Sequence, residues 1–275
     1  MYPITIQLIV MLFVVHFALS RQVEYKKTQS DPGFSVKERS NSKEEGHYVP
    51  KLGVRLQKTP ASFLSVGPFD SVTLECEAEG NPSPTIYWLK NGRRIHQGTW
   101  EESELSQDIN TNEMVTRGVS RTRSRLYLDC VSPKDEGIFS CIAENPYQRV
   151  SGETDLKLSE EERETRNAVC VAKKSFGTPA RIHMWTRTRI ETQGNDIQLF
   201  CRASGNPQPQ INWIRGDDES KIIKDSEKYK ILENGDLVIR NLSWGDLGGY
   251  TCMAKNVNGA AKTFTFVYPA MPEEK

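Results

Sequence analysis

Short apolar runs of period two, separated by turns of Gly, Asn and Pro, set the rhythm of this chain. Val72, Leu74 and Cys76 alternate with polar residues, and so do Ile197, Leu199 and Cys201. That period puts each set, cysteine included, on the buried face of a strand. Each strand leads into a turn, and the turns and the runs after them correspond: Gly80-Asn-Pro-Ser-Pro84-Thr-Ile86-Tyr-Trp88 matches Gly205-Asn-Pro-Gln-Pro209-Gln-Ile211-Asn-Trp213. In both copies the Trp follows the Cys by twelve residues. Farther on, Leu126, Leu128 and Val131 answer to Leu237, Ile239 and Leu242, and Asp135-Glu-Gly137-Ile-Phe139-Ser-Cys141 answers to Asp246-Leu-Gly248-Gly-Tyr250-Thr-Cys252. The chain is an internal repeat.

Cysteine, a Trp twelve residues later, and Tyr-x-Cys at the end is the pattern of an immunoglobulin-type sandwich. The pairs Cys76/Cys141 and Cys201/Cys252 would pin opposite sheets together, with Trp88 and Trp213 against the bridges. The Tyr250 hydroxyl would tie the corner before its strand to the backbone. The predicted fold is all-β, two tandem immunoglobulin-like sandwiches of the I-set type. Residues 51–158 form the first, 159–178 a charged connector, 179–270 the second, and 271–275 a tail. Two departures separate the copies. Phe139 stands where Tyr250 stands, so the first corner lacks the hydroxyl, a difference of about 1 kcal/mol. The first copy also carries 14 extra residues between its third and fifth strands, near Gly98–Leu105, where an insertion costs little closure entropy and tends to add binding or shielding.

Composition adds the compartment. Six Cys, four of them in the sandwich positions, require an oxidising environment. Residues 1–20 are free of charge and apolar, ending in Ala18-Leu19-Ser20, which predicts a cleaved signal peptide. Residues 21–50 are polar and mixed in charge, as expected of a disordered arm. The final residues bring no apolar run, so the expectation is a secreted protein without membrane insertion. The 36 basic and 36 acidic residues balance, and nothing global points to nucleic acid.

Among candidate functional residues, Cys130 and Cys170 stand outside the repeat. Cys130 occupies the position of Asn241, and Asn241-Leu-Ser243 is a glycosylation sequon. A glycan there must point outward, so Cys130 is expected near the surface too. Cys130 and Cys170 either bridge to each other, holding the connector to the first domain, or serve a covalent dimer or a reactive thiol. Arg121, Arg123 and Arg125 share the parity opposite to the buried Leu126 and Leu128. They form an outward stripe for an acidic partner or a sulfated glycan, or else a solvated face met by Glu101, Glu102 and Glu104. In Ile182-His-Met184-Trp-Thr186 the parity puts Ile182 and Met184 inward and Trp185 outward, as an interface anchor or as edge packing, and Trp100 in the insertion poses the same alternative. Catalysis finds no support. The four His residues (His16, His47, His96, His183) lack metal-ligand spacing, and no phosphate loop or nucleophile elbow occurs. No cofactor is expected.

The second copy carries a more specific likeness. Gly194-Asn-Asp-Ile-Gln-Leu199, Leu232-Glu-Asn234-Gly-Asp-Leu237, Gly248-Gly-Tyr250-Thr-Cys252-Met-Ala-Lys-Asn256-Val and Phe266-Val-Tyr-Pro269 resemble the insect neural/ectodermal development factor family (imaginal morphogenesis protein, late class), with the nematode secreted two-immunoglobulin proteins as cousins. The resemblance implies a secreted, non-enzymatic protein that binds insulin-like peptides, withholds them from their receptor and so antagonises insulin signalling. The competing reading is an adhesion or axon-guidance factor that binds a cell-surface immunoglobulin-family receptor or a second copy of itself. On the first reading Trp185 or the insertion would lie at the edge of the hormone site.

Overall fold

A computed structural model describes residues 52–97, 118–159, Cys170 and 177–272. The signal segment, the polar arm, the insertion with Trp100 and most of the connector lie outside the described residues.

The period-two runs become strands. In the first sandwich β1 (Gly53–Lys58), β3 (Val72–Asn81) and β6 (Val119–Leu128) form one sheet. The strands β2 (Phe63–Val66), β4 (Thr85–Lys90), β5 (Arg93–Ile95), β7 (Gly137–Glu144) and β8 (Arg149–Leu158) form the other, in the order β2-β8-β7-β4-β5. Leu74, Cys76, Ile86, Trp88, Leu126, Phe139 and Leu156 fill the space between them. In the second sandwich β10 (Ile197–Leu199), β13 (Tyr229–Ile231) and β14 (Leu237–Ile239) face β12 (Gln210–Arg215), β15 (Gly248–Asn256) and β16 (Gly259–Ala270) across Trp213, Leu199, Tyr250 and Val267.

Cys76 pairs with Cys141 and Cys201 with Cys252, at Cα separations of 6.4 and 6.5 Å. The Trp88 indole donates to Ser124 Oγ (3.0 Å) and the Trp213 indole to the Gly235 carbonyl (2.8 Å), so each core Trp buries its ring without orphaning its N–H. The corners differ. Tyr250 donates to the Asp246 carbonyl at 3.2 Å and accepts from Arg215, whose fork also donates to the Gly245 and Leu247 carbonyls. Phe139 has no hydroxyl to offer. Lys90, which pairs with it across the strands, lies 5.6 Å from its ring centroid and donates to the Lys134 carbonyl.

The strand that joins the two halves is β9 (Thr178–Thr192). It pairs antiparallel with β11 (Cys201–Asn206) of its own sandwich, parallel with β16, and antiparallel with β6 of the first sandwich. One continuous sheet results, in the order β1-β3-β6-β9-β16-β15-β12. Its ladder between the sandwiches runs from Val119↔Ile190 to Ser124↔Met184. Side chains reinforce it. Ser124 Oγ donates to the His183 carbonyl (2.9 Å), Tyr127 to the Ile182 carbonyl (3.2 Å), and Arg181 makes two bonds to Asp129 (2.5 and 3.1 Å). Arg189 and Glu191, both buried, pair at 2.5 Å.

This joint corrects the expectation for Trp185. The register of β9 against β11 slips, so that Ala203 pairs with Ile182 but Arg202 with Met184. His183 is the extra residue of a bulge, which exchanges the faces of the residues beyond it. Trp185 therefore joins Ile182 in the second core at 5% exposure, capped by the guanidinium groups of Arg125 (4.9 Å) and Arg123 (5.9 Å). Met184 turns the other way and, with Phe200, packs into the first core. Each sandwich lends side chains to the other.

Cys130 bridges to Cys170, with Cα atoms 5.7 Å apart. It is 5% exposed, not at the surface as expected from its match to Asn241, which is exposed. Both residues have positive φ, 57° and 48°. The left-handed backbone is shared, but the side chain of Cys130 is buried in its bond to Cys170.

Candidate functional site

Cys252 points into the second core, and its cross-strand partner is Thr263. That pairing fixes the parity of β16: Thr265 and Val267 are fully buried, whereas Phe264, Phe266 and Tyr268 face outward at 40–47% exposure. The Thr265 hydroxyl donates to the Thr186 carbonyl (2.5 Å), which satisfies a polar side chain inside the sheet sandwich. On β9, Ile190 pairs with Tyr268 and is also exposed, and Trp244 sets its ring edge-on to Tyr268 with centroids 6.0 Å apart. The Phe264 ring lies across Gly249, where a Cβ would run into it. Five large apolar side chains thus share one open face, held mostly on strands rather than loops. An exposed apolar cluster of this kind marks an interaction surface.

The same face continues onto the first sandwich. In register across the sheet, Phe266 pairs with Thr188, Thr188 with Arg121, Arg121 with Glu79, and Glu79 with Arg55. There the outward row is charged. Glu75 takes Lys58 (2.8 Å), Arg125 (2.7 Å) and Arg123 (3.2 Å); Glu77 takes Arg123 and Arg187 (3.2 Å); Glu79 takes Arg55 and Arg121, each at 2.6 Å. Six cations meet three carboxylates. Partial burial pushes Glu75 upward, but hydrogen bonds from Lys58 and Arg125 and the charge of Arg123 outweigh it and hold the carboxyl below its ordinary range. Burial likewise pushes Glu79 upward, and Arg121 and Arg55 outweigh it to leave that carboxyl lowered too.

A family model described as immunoglobulin domain matches residues 55–145 and 179–256. The chain belongs to the immunoglobulin domain family. Among curated relatives it is 32% identical to the zwei Ig domain protein zig-4 of Caenorhabditis elegans, over 77% of this chain and 81% of that one. It is 28% identical to the neural/ectodermal development factor IMP-L2 of Drosophila melanogaster, over 80% and 78%. The crystal structure of IMP-L2 superposes with a TM-score of 0.58 at 25% identity, covering 78% of this chain and 94% of that one. The resemblance read from the second sandwich is therefore to true relatives.

Of the residues singled out in the sequence, Cys76, Cys141, Cys201, Cys252, Trp88, Trp213, Tyr250 and Phe139 lie in the two cores. Trp185 lies in the joint and Trp100 outside the described residues. Arg121, Arg123 and Arg125 do share a face, but their carboxylate partners are Glu75, Glu77 and Glu79 of the neighbouring strand. Glu101, Glu102 and Glu104, the partners expected from the sequence, lie outside the described residues. Among the described residues no cluster of His, Cys, Asp and Glu could hold a metal ion, and no helix is long and apolar enough to cross a membrane. The aromatic face on β16 is one that sequence reasoning missed. Its signal was there: Cys252 must point inward, and a tight hairpin between Asn256 and Gly259 sets Thr263, not Phe264, beside it.

Proposed function

We propose that this protein is an extracellular binding protein that captures an insulin-like peptide on the aromatic face of β9 and β16. The exposed cluster of Phe264, Phe266, Tyr268, Ile190 and Trp244 carries the reading. A small helical hormone presents an apolar face of comparable chemistry, and aromatic side chains on a rigid sheet gain contact area with little loss of rotamer entropy. Kinship to IMP-L2 supports the choice of partner class, since the family resemblance implies hormone sequestration. Three disulfides support the extracellular compartment. The withheld hormone would then be unable to reach its receptor, so the activity is antagonism of insulin signalling and not catalysis.

Calorimetric titration of the secreted protein with an insulin-like peptide of the same organism tests this at physiological salt. The expected result is nanomolar binding with a negative heat-capacity change, weakened at least tenfold by Phe266→Ser, on the order of one buried aromatic anchor. Absence of heat up to micromolar peptide overturns the proposal and turns the search to a cell-surface immunoglobulin-family receptor.

A further inference from the structure

The charged half of the shared face has an imbalance that hormone capture does not use. Arg55, Lys58, Arg121, Arg123, Arg125 and Arg187 surround Glu75, Glu77 and Glu79, an excess of three positive charges on a chain whose formal total is zero. Four of the six cations stay open to solvent. The side chains of Arg55, Lys58, Arg121 and Arg187 are 70, 55, 49 and 44% exposed, while the carboxylates beneath them are 7–16% exposed. Carboxylates below and cations above give a plate that presents positive charge outward. Five of the six cations are arginines, each anchored by a carboxylate. On β6 the cations repeat every second residue, about 7 Å, and those of β1 lie two strands away, about 10 Å across the carboxylate row of β3. No apolar side chain interrupts the rows on β3 from Glu75 to Glu79 or on β6 from Arg121 to Arg125.

We propose that the outer face of β1, β3 and β6, with Arg187 of β9, binds a sulfated polysaccharide. Sulfate groups along a linear chain match guanidinium forks held in place on a sheet. An acidic protein is the poorer match, because protein interfaces centre on buried apolar anchors, and the plate has none between its charges. Attraction for a polyanion would grow with the release of its counterions and fall steeply with salt. Polysaccharide binding is independent of hormone capture, which uses the aromatic half of the sheet. It would hold the secreted protein on the cell surface or matrix.

The full secreted chain should be passed over immobilised heparin. Retention at physiological ionic strength, about 0.15 M, is expected, with elution at higher salt. The triple variant Arg55→Gln, Arg121→Gln, Arg187→Gln should elute earlier, its log affinity depending less on log salt by about one unit for each sulfate no longer bound. A matched variant, Lys224→Gln, Arg240→Gln, Lys255→Gln, removes the same charge from exposed positions elsewhere and should elute close to the parent. Should the triple variant lose its fold by far-UV circular dichroism, Arg187→Gln alone serves, because Glu77 keeps Arg123. Equal shifts for the two triple variants would reduce the effect to general charge and overturn the proposal. Flow-through of the parent would do so as well, and its retention on polyglutamate instead would reassign the plate to an acidic protein.

Discussion

The two sandwiches arose by duplication, yet at three matched positions they hold different chemistry. Lys90 and Phe139 in the first stand for Arg215 and Tyr250 in the second, and Cys130 stands for Asn241. In the second sandwich the corner is tied by a fork of hydrogen bonds from Arg215. In the first, the Lys90 ammonium reaches one carbonyl and the face of a ring, a weaker tie, and the Cys130–Cys170 bridge sits at the neighbouring turn. The comparison teaches that an equivalent corner can be secured by polar contacts or by a covalent strap. It also teaches that the left-handed backbone at residues 130 and 241 is a property of the fold, filled independently in each copy.

The largest test of that independence is at the joint. Trp185→Ala empties a site between the second core and the arginine caps, and a loss of about 3–5 kcal/mol is expected. Denaturant titration should show both sandwiches destabilised together; loss confined to the second would mean that the joint does not couple them. Next is the double variant Cys130→Ala, Cys170→Ala. Opening a loop of separation 40 should cost about 2–4 kcal/mol, drawn from the first sandwich, and an unchanged unfolding midpoint would show that the strap is dispensable. Tyr250→Phe converts the second corner into the first. It should cost about 1–2 kcal/mol, because Arg215 loses an acceptor. A smaller loss, within a few tenths, would show that the corners were equivalent without it.

The smallest effect at neutral pH, and one that grows with acid, belongs to His183 at the bulge. Burial, aided by the positive charge of Arg202, lowers its pKa from 6.5 to about 3. Above pH 6.5 the imidazole is neutral in both folded and unfolded chains and contributes nothing. As pH falls from 6.5 toward 3 the unfolded chain takes up the proton first, so stability is lost across that window. The ladder carboxylates Glu75 and Glu79 have lowered pKa values, so their contribution is complete above about 4.5 and is lost as pH falls through the folded values. Melting temperature against pH should therefore decline in two stages, and His183→Gln should flatten the first while leaving the second. A profile that His183→Gln does not alter would remove the histidine from the account.

What the sequence revealed and what it hid divide by range. Cysteine, Trp and Tyr-x-Cys are local signals whose spacing is a direct image of strand length, so both cores were legible. Trp185 was misplaced because parity counting assumes an unbroken strand, and one extra residue at His183 reverses it. The aromatic face was missed for the opposite reason: its parity was regular, but only the pairing to Cys252 says which side of β16 is inside. The arginine stripe was seen, yet its carboxylate partners lie on the same alternation in Glu75, Glu77 and Glu79, a complement recognisable once β3 and β6 are taken as neighbours. The ladder between β6 and β9 left no mark in either strand alone, since backbone hydrogen bonds carry no side-chain signature.

That ladder has a consequence for how the chain is made. The ribosome delivers the first sandwich before the strand that will cover the edge of β6. The stretch from Leu158 to Thr192 takes about 2–7 s to synthesise at about 5–20 residues per second. For those seconds a nearly complete domain waits with an open row of amide and carbonyl groups, a template for any passing strand. Early closure of the strap between Cys130 and Cys170 would bring the nascent β9 to its own β6 ahead of a neighbour's.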